Sequence, residues 1–110
     1  MTITPLVLLF TILTFTESLS AAAEEILQQA SANGTRNLRP FTVKDGWELR
    51  WGTKSPMFTV MLHSTTGELV DTLATQMQPG PGVTYYPKGG TYYLQIIASG
   101  DWTVTVIQLP

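Results

Sequence analysis

The sequence predicts an all-β fold: a small antiparallel β-sandwich or barrel of about six to seven strands. Three observations point to it. Apolar residues recur at every second position from Phe41 onward, the period of a half-buried strand. Clusters of Gly, Pro, Asn and Asp break that alternation at spacings near ten residues, as turns between short strands do. No interval between the runs offers the dozen or more residues of a helical crossover, which parallel strands require. Within the 110 residues the reading is a signal peptide over 1–23, a helical or flexible linker over 24–40, and the β domain over 41–110.

The signal peptide is read from composition. Thr2 to Thr16 carries no charge, and Leu6, Val7, Leu8, Leu9, Phe10, Ile12, Leu13 and Phe15 form an apolar stretch. The small residues Ser18, Ser20, Ala21, Ala22 and Ala23 follow, which is the order of an h-region and its cleavage region, with cleavage after Ser20 or Ala23. No Lys or Arg precedes the stretch. It is shorter than the ~20 residues of a membrane-spanning helix. The expected location is therefore secreted or periplasmic, with no integral membrane span after cleavage; the alternative is anchoring by an uncleaved N-terminal segment.

From Ala21 to Ala32 the residues are good helix formers, and Asn33-Gly34 supplies a stop. A lone short helix is marginal in water, so the linker reads as a docked helix or a frayed one. Asn33-Gly34-Thr35 also matches the N-glycosylation pattern, whose use depends on a eukaryotic secretory host.

After Pro40 the period becomes two. Phe41, Val43, Trp47, Leu49 and Trp51 share one phase, with Asp45-Gly46 as a turn or bulge. Phe58, Val60 and Leu62 share the next, and a hairpin across Thr65 to Gly67 leads to a shorter strand over Glu68 to Leu73. Gln78-Pro79-Gly80-Pro81-Gly82 reads as a loop, since Pro lacks the ladder donor and Gly weakens order. Val83 to Tyr86 reads as a short strand before the turn Pro87 to Gly90. The final pair sets Tyr92, Leu94, Ile96 and Ala98 against Trp102, Val104 and Val106 across Ser99-Gly100-Asp101, which reads as an antiparallel hairpin.

The run Phe41 to Trp51, together with Gly90-Thr91-Tyr92-Tyr93-Leu94-Gln95-Ile96 and Gly100-Asp101-Trp102-Thr103-Val104, resembles small β-sandwich modules of bacterial secreted proteins. The resemblance covers about Phe41 to Leu109, and it implies a β-sandwich of a kind mostly of unassigned function. The Gly-Thr-Tyr-Tyr-Leu piece is also similar to the final strands of pre-peptidase C-terminal domains. Those usually show acidic residues in a middle strand, where this chain has only Glu68 and Asp71.

Composition excludes several function classes. Six basic and eight acidic residues give a net charge of −2 without concentrating either sign, so there is neither a nucleic-acid footprint nor a polybasic membrane patch. The absence of cysteine removes disulfides and thiolate metal sites. Hydrolysis needs a nucleophile or activated water beside a positioned base. His63 is the sole histidine; it lies next to Ser64 and near Glu68 and Asp71, but it alternates away from the core phase and no motif frames it. The reading is therefore no catalytic residue, no cofactor and no metal.

Aromatic and apolar groups remain. Trp47, Trp51 and Trp102 share phase with aliphatic neighbours and are expected in the core. If Tyr92 and Trp102 face inward, then Tyr93, Gln95, Ile97, Thr103, Thr105 and Ile107 form the opposite face, with no charge in either run. Such a face needs cover: the Ile26-Leu27 helix, a second sheet, or a partner reached through Tyr93, Ile97 and Ile107 with Tyr85 and Tyr86 at the rim. The function expected is a noncatalytic binding or accessory module using this face to take a protein or a carbohydrate. The alternative is a structural envelope component that self-associates or joins a secretion-related assembly, and a small hydrolase is a distant third.

Overall fold

The computed structural model describes residues 23–110. The signal-peptide reading of residues 1–23 falls, all but Ala23, outside them. The described residues form nine strands and no helix: β1 (Glu25–Asn33), β2 (Arg36–Asn37), β3 (Phe41–Val43), β4 (Trp47–Thr53), β5 (Phe58–Ser64), β6 (Leu69–Gln76), β7 (Gly80–Tyr86), β8 (Gly90–Ala98) and β9 (Asp101–Gln108). Thus no helix among them is long and apolar enough to cross a membrane.

The strands make two antiparallel sheets. Sheet A has four strands in the order β1-β9-β4-β7; sheet B has five, in the order β2-β8-β5-β6, with β3 also paired to β8. Their inner faces share one core. Sheet A contributes Trp47, Leu49, Trp102, Val104 and Val106, and sheet B contributes Phe41, Val43, Phe58, Val60, Leu62, Tyr92, Leu94 and Ile96. This is the two-layer, sandwich-like arrangement that alternating strands favour, because each strand can bury only one of its faces.

The expected helix over Ala21 to Ala32 is corrected to strand β1, paired with β9 from Glu25↔Gln108 to Asn33↔Asp101. A lone three-turn helix has little stability of its own, whereas pairing covers the long edge of β9. The irregularity between Ile26 and Gln28 resets the phase, so that Leu27, Ala30 and Ala32 pack on the core.

A second correction concerns the last two strands. They do not form a hairpin: β8 pairs with β5, while β9 pairs with β1 and β4. Ser99-Gly100 carries the chain from one sheet to the other. Two ties hold that crossing: the Ser55 and Ser99 hydroxyls lie 3.0 Å apart, and Gly34 N donates to Gly100 O at 3.1 Å. Ser55 is fully buried, and its Oγ also accepts from Ser99 N at 3.0 Å and Met57 N at 3.2 Å. The β5–β6 hairpin is present as expected, with Gly67 at φ 93 in its turn.

The Pro-Gly loop is corrected in part. Gly80, Pro81 and Gly82 pair with Thr53, Gly52 and Trp51 as the first half of β7. Pro is tolerated there because β7 is an edge strand.

Candidate functional site

The side chains expected to meet a partner do not gather. Tyr93 and Ile97 lie on the outer face of sheet B, half-buried, opposite His63 and Thr59. Tyr85 is exposed on the outer face of sheet A, opposite Glu48. Tyr86 has the other phase. Its ring centroid lies 5.5 Å from Trp47 and 6.3 Å from Tyr92, and burial, with Asp71 nearby, raises its pKa above the ordinary phenol value. Ile107 is buried on the outer side of sheet A, between Ile26 and Glu48. Arg50 donates to Glu24 Oε2 and Glu48 Oε1, each at 2.6 Å. The contact with Glu24 must cross β9, the strand of Ile107, which separates β4 from β1. The face drawn from one hairpin is therefore divided between two sheets.

Along β3, β5 and β8 the outer face of sheet B carries Thr42, Thr91, His63, Tyr93, Met61, Gln95, Thr59 and Ile97, none of them charged. His63 and Tyr93 are Cα partners, and their rings stack at 5.0 Å with 8° between planes. Each ring therefore spends one face on the other. His63 Nε2 lies 3.1 Å from Gln95 Oε1. The neighbouring Ser64 hydroxyl serves the turn, 2.9 Å from Thr66 Oγ1 and accepting from Glu68 N at 3.2 Å. His63 and Ser64 are thus engaged separately, the ring with Tyr93 and Gln95 and the hydroxyl with the turn. Among the described residues no group of three or more His, Cys, Asp or Glu side chains is placed to hold a metal ion.

The outer face of sheet A is concave at its loop end. Strand register brings one small side chain from each strand into a single row: Ser31 of β1, Thr103 of β9, Gly52 of β4 and Pro81 of β7. The next row holds Thr105 with the longer Gln29 and Arg50 and the bulkier Val83, so the surface drops from one row to the other on either side of β9. The result is a trough of about 760 Å³ whose walls include Asn33, Lys54 and Asp101. Asn33 Nδ2 donates to Asp101 Oδ1 at 2.7 Å, fixing the amide at one end. A Cβ on Gly52 would touch only Thr103 Oγ1, at 3.5 Å, so the floor has room above it. Size and mixed lining fit a small-ligand site. Sequence reasoning missed these residues, because they come from four strands and are joined only by register.

No protein-family model matches the chain, and no curated protein matches it. Among solved structures the chain is similar to one in "Structure of infectious bursal disease virus Gx strain", with 13% sequence identity and a TM-score of 0.40. That similarity covers 77% of this chain and 31% of the viral chain, so this chain spans less than a third of the other's length.

Proposed function

We propose that the protein is a noncatalytic, exported binding module whose ligand, a neutral saccharide, seats in the trough on the outer face of sheet A. The observation that carries this reading is the row Ser31, Thr103, Gly52 and Pro81 beneath the walls Asn33, Asp101 and Lys54. A sugar ring presents hydroxyl edges and C–H faces. The trough offers hydroxyls and an amide for the edges, and Gly52 and Pro81 for the faces. Its one carboxylate, Asp101, accepts from Asn33 and shares the lining with one cation, Lys54, so the formal charges of the site cancel. The outer face of sheet B supports a binding role less well, because the His63 and Tyr93 rings stack on each other.

A panel of neutral oligosaccharides titrated against the protein, followed by amide chemical shifts, tests the proposal. Shifts should centre on Ser31, Gly52 and Thr103. Gly52→Leu directs a side chain into the trough from a position whose Cβ meets only Thr103 Oγ1, at 3.5 Å, and it should abolish binding while the unfolding midpoint stays near that of wild type. Binding that survives Gly52→Leu, or shifts centred on Tyr93 and Gln95, would overturn the assignment of the site. The second reading, a structural component that self-associates, is favoured by the free edge of β7.

A further inference from the structure

We infer that Asn33 is a deamidation site gated by the fold: its side-chain amide is lost to attack by the Gly34 main-chain nitrogen when the turn between β1 and β2 lifts off the segment that crosses between the sheets. The inference rests on that turn and not on what occupies the trough.

Asparagine followed by glycine is the pairing most open to this reaction, because glycine puts no side chain beside the attacking nitrogen. The chain has two asparagines, Asn33 before Gly34 and Asn37 before Leu38. Asn33 ends β1 and is exposed. Gly34 stands in the turn that follows, at φ 82, where an added Cβ would meet nothing within 4 Å among the described residues. Loss of the Gly34 amide proton to hydroxide lets the nitrogen bond to Asn33 Cγ. The Cγ–Nδ2 bond then breaks, ammonia leaves with a proton taken from water, and a five-membered imide closes. Water opens the imide at either carbonyl, which leaves aspartate or isoaspartate at position 33.

In the folded domain the atoms that must move are all engaged, and by one segment. Gly34 N donates to Gly100 O at 3.1 Å, and Asn33 Nδ2 donates to Asp101 Oδ1 at 2.7 Å. Gly34 O accepts from Trp102 Nε1 at 2.7 Å, and Thr35 Oγ1 accepts from Ala98 N at 3.4 Å. The proton of the nucleophile is thus aimed at a carbonyl, and the leaving amide is tied to a carboxylate. Attack has to wait for the turn to open, a local event that leaves the sheets paired.

The product does not dock as the reactant did. The donor to Asp101 is gone and a carboxylate stands in its place, so two like charges meet at the wall of the trough where a hydrogen bond stood. A turn that has opened long enough to react therefore closes less firmly afterwards.

Peptide mass spectrometry of the protein as recovered from the expressing culture, aged at mildly alkaline pH, tests the inference. Position 33 of the folded wild type should convert about tenfold or more slowly than the same chain held unfolded in guanidinium chloride. Asp101→Ala releases the amide and should speed conversion in the folded protein, whereas Asp101→Asn keeps an acceptor oxygen and should stay near the wild-type rate. Hydrogen exchange separates this opening from lost folding: conversion should rise in step with exchange of the Gly34 amide while the amides of β8 stay protected. Conversion in the folded wild type as fast as in guanidinium chloride, conversion at Asn37 ahead of Asn33, or an unchanged rate in Asp101→Ala would overturn the inference. So would a carbohydrate on Asn33 Nδ2, which leaves no free amide to lose.

Discussion

Trp51 lies across Gly82, so close that a Cβ at Gly82 would come within 2.1 Å of the indole Cζ2. The two are Cα partners on β4 and β7, and the indole reaches over the edge strand toward sheet B. There it stacks on Phe58 at 6.1 Å, and its Nε1 donates to Gln76 Oε1 at 3.3 Å. Glycine is required at position 82 by this approach, not by its backbone angles.

Gly82→Ala should therefore destabilise the domain by about 1 to 3 kcal/mol, the usual cost of overpacking. Urea unfolding followed by tryptophan fluorescence measures it, and the native spectrum should change because Trp51 must move. A variant with wild-type stability and spectrum would mean that the indole does not lie on Gly82.

Trp102 is buried in sheet A with its Nε1 donating to Gly34 O at 2.7 Å. Trp102→Ala should cost about 3 to 5 kcal/mol. Trp102→Phe keeps most of the volume and loses the bond, so it should cost less, with Gly34 O left to find water. Equal losses from the two variants in chemical denaturation would mean that the bond outweighs the packing.

Burial raises the Tyr92 pKa above the ordinary phenol value, and the charge of Asp45 adds to it; Tyr86 is raised in the same direction, chiefly by burial. Each phenol holds its proton more tightly folded than unfolded. That contribution to stability is complete below about pH 10 and is lost as pH rises through the folded value. Stability measured by urea unfolding between pH 8 and 11 should thus fall only at the alkaline end. Tyr92→Phe removes bonds to Lys88 O at 3.1 Å and Gly89 O at 3.0 Å. It should lower neutral-pH stability by about 0.5 to 1.5 kcal/mol and flatten the alkaline decline. An unaltered alkaline slope in this variant would assign the decline to other groups.

Export should remove the N-terminal segment after Ser20 or Ala23, and both positions precede the first residue of β1, Glu25. Either cut leaves sheet A whole and keeps Glu24 for its ion pair with Arg50, at 2.6 Å. Intact-mass measurement of the exported protein should find a start at Ala21 or Glu24. A mass that retains Met1 in a membrane fraction would instead indicate an uncleaved anchor.

Which residues face inward was legible in the sequence. The phase of Phe58, Val60 and Leu62, of Tyr92, Leu94 and Ile96, and of Trp102, Val104 and Val106 is borne out by their burial, because strand side chains alternate whatever the strand pairs with. What each strand pairs with was not legible. An inward phase for β8 and β9 suits a hairpin and a crossing between sheets equally well, and the buried Ser55 and its contacts with Ser99 decide for the crossing. The helix formers of β1 were overruled by the open edge of β9, since local propensity is worth less than a ladder of main-chain bonds and a packed face. Gly80, Pro81 and Gly82 look like a loop in isolation, and only the place of β7 at the sheet edge, with Trp51 lying on Gly82, makes them a strand. The trough on sheet A has no signature in the chain at all: Ser31, Gly52, Pro81 and Thr103 become neighbours through register alone.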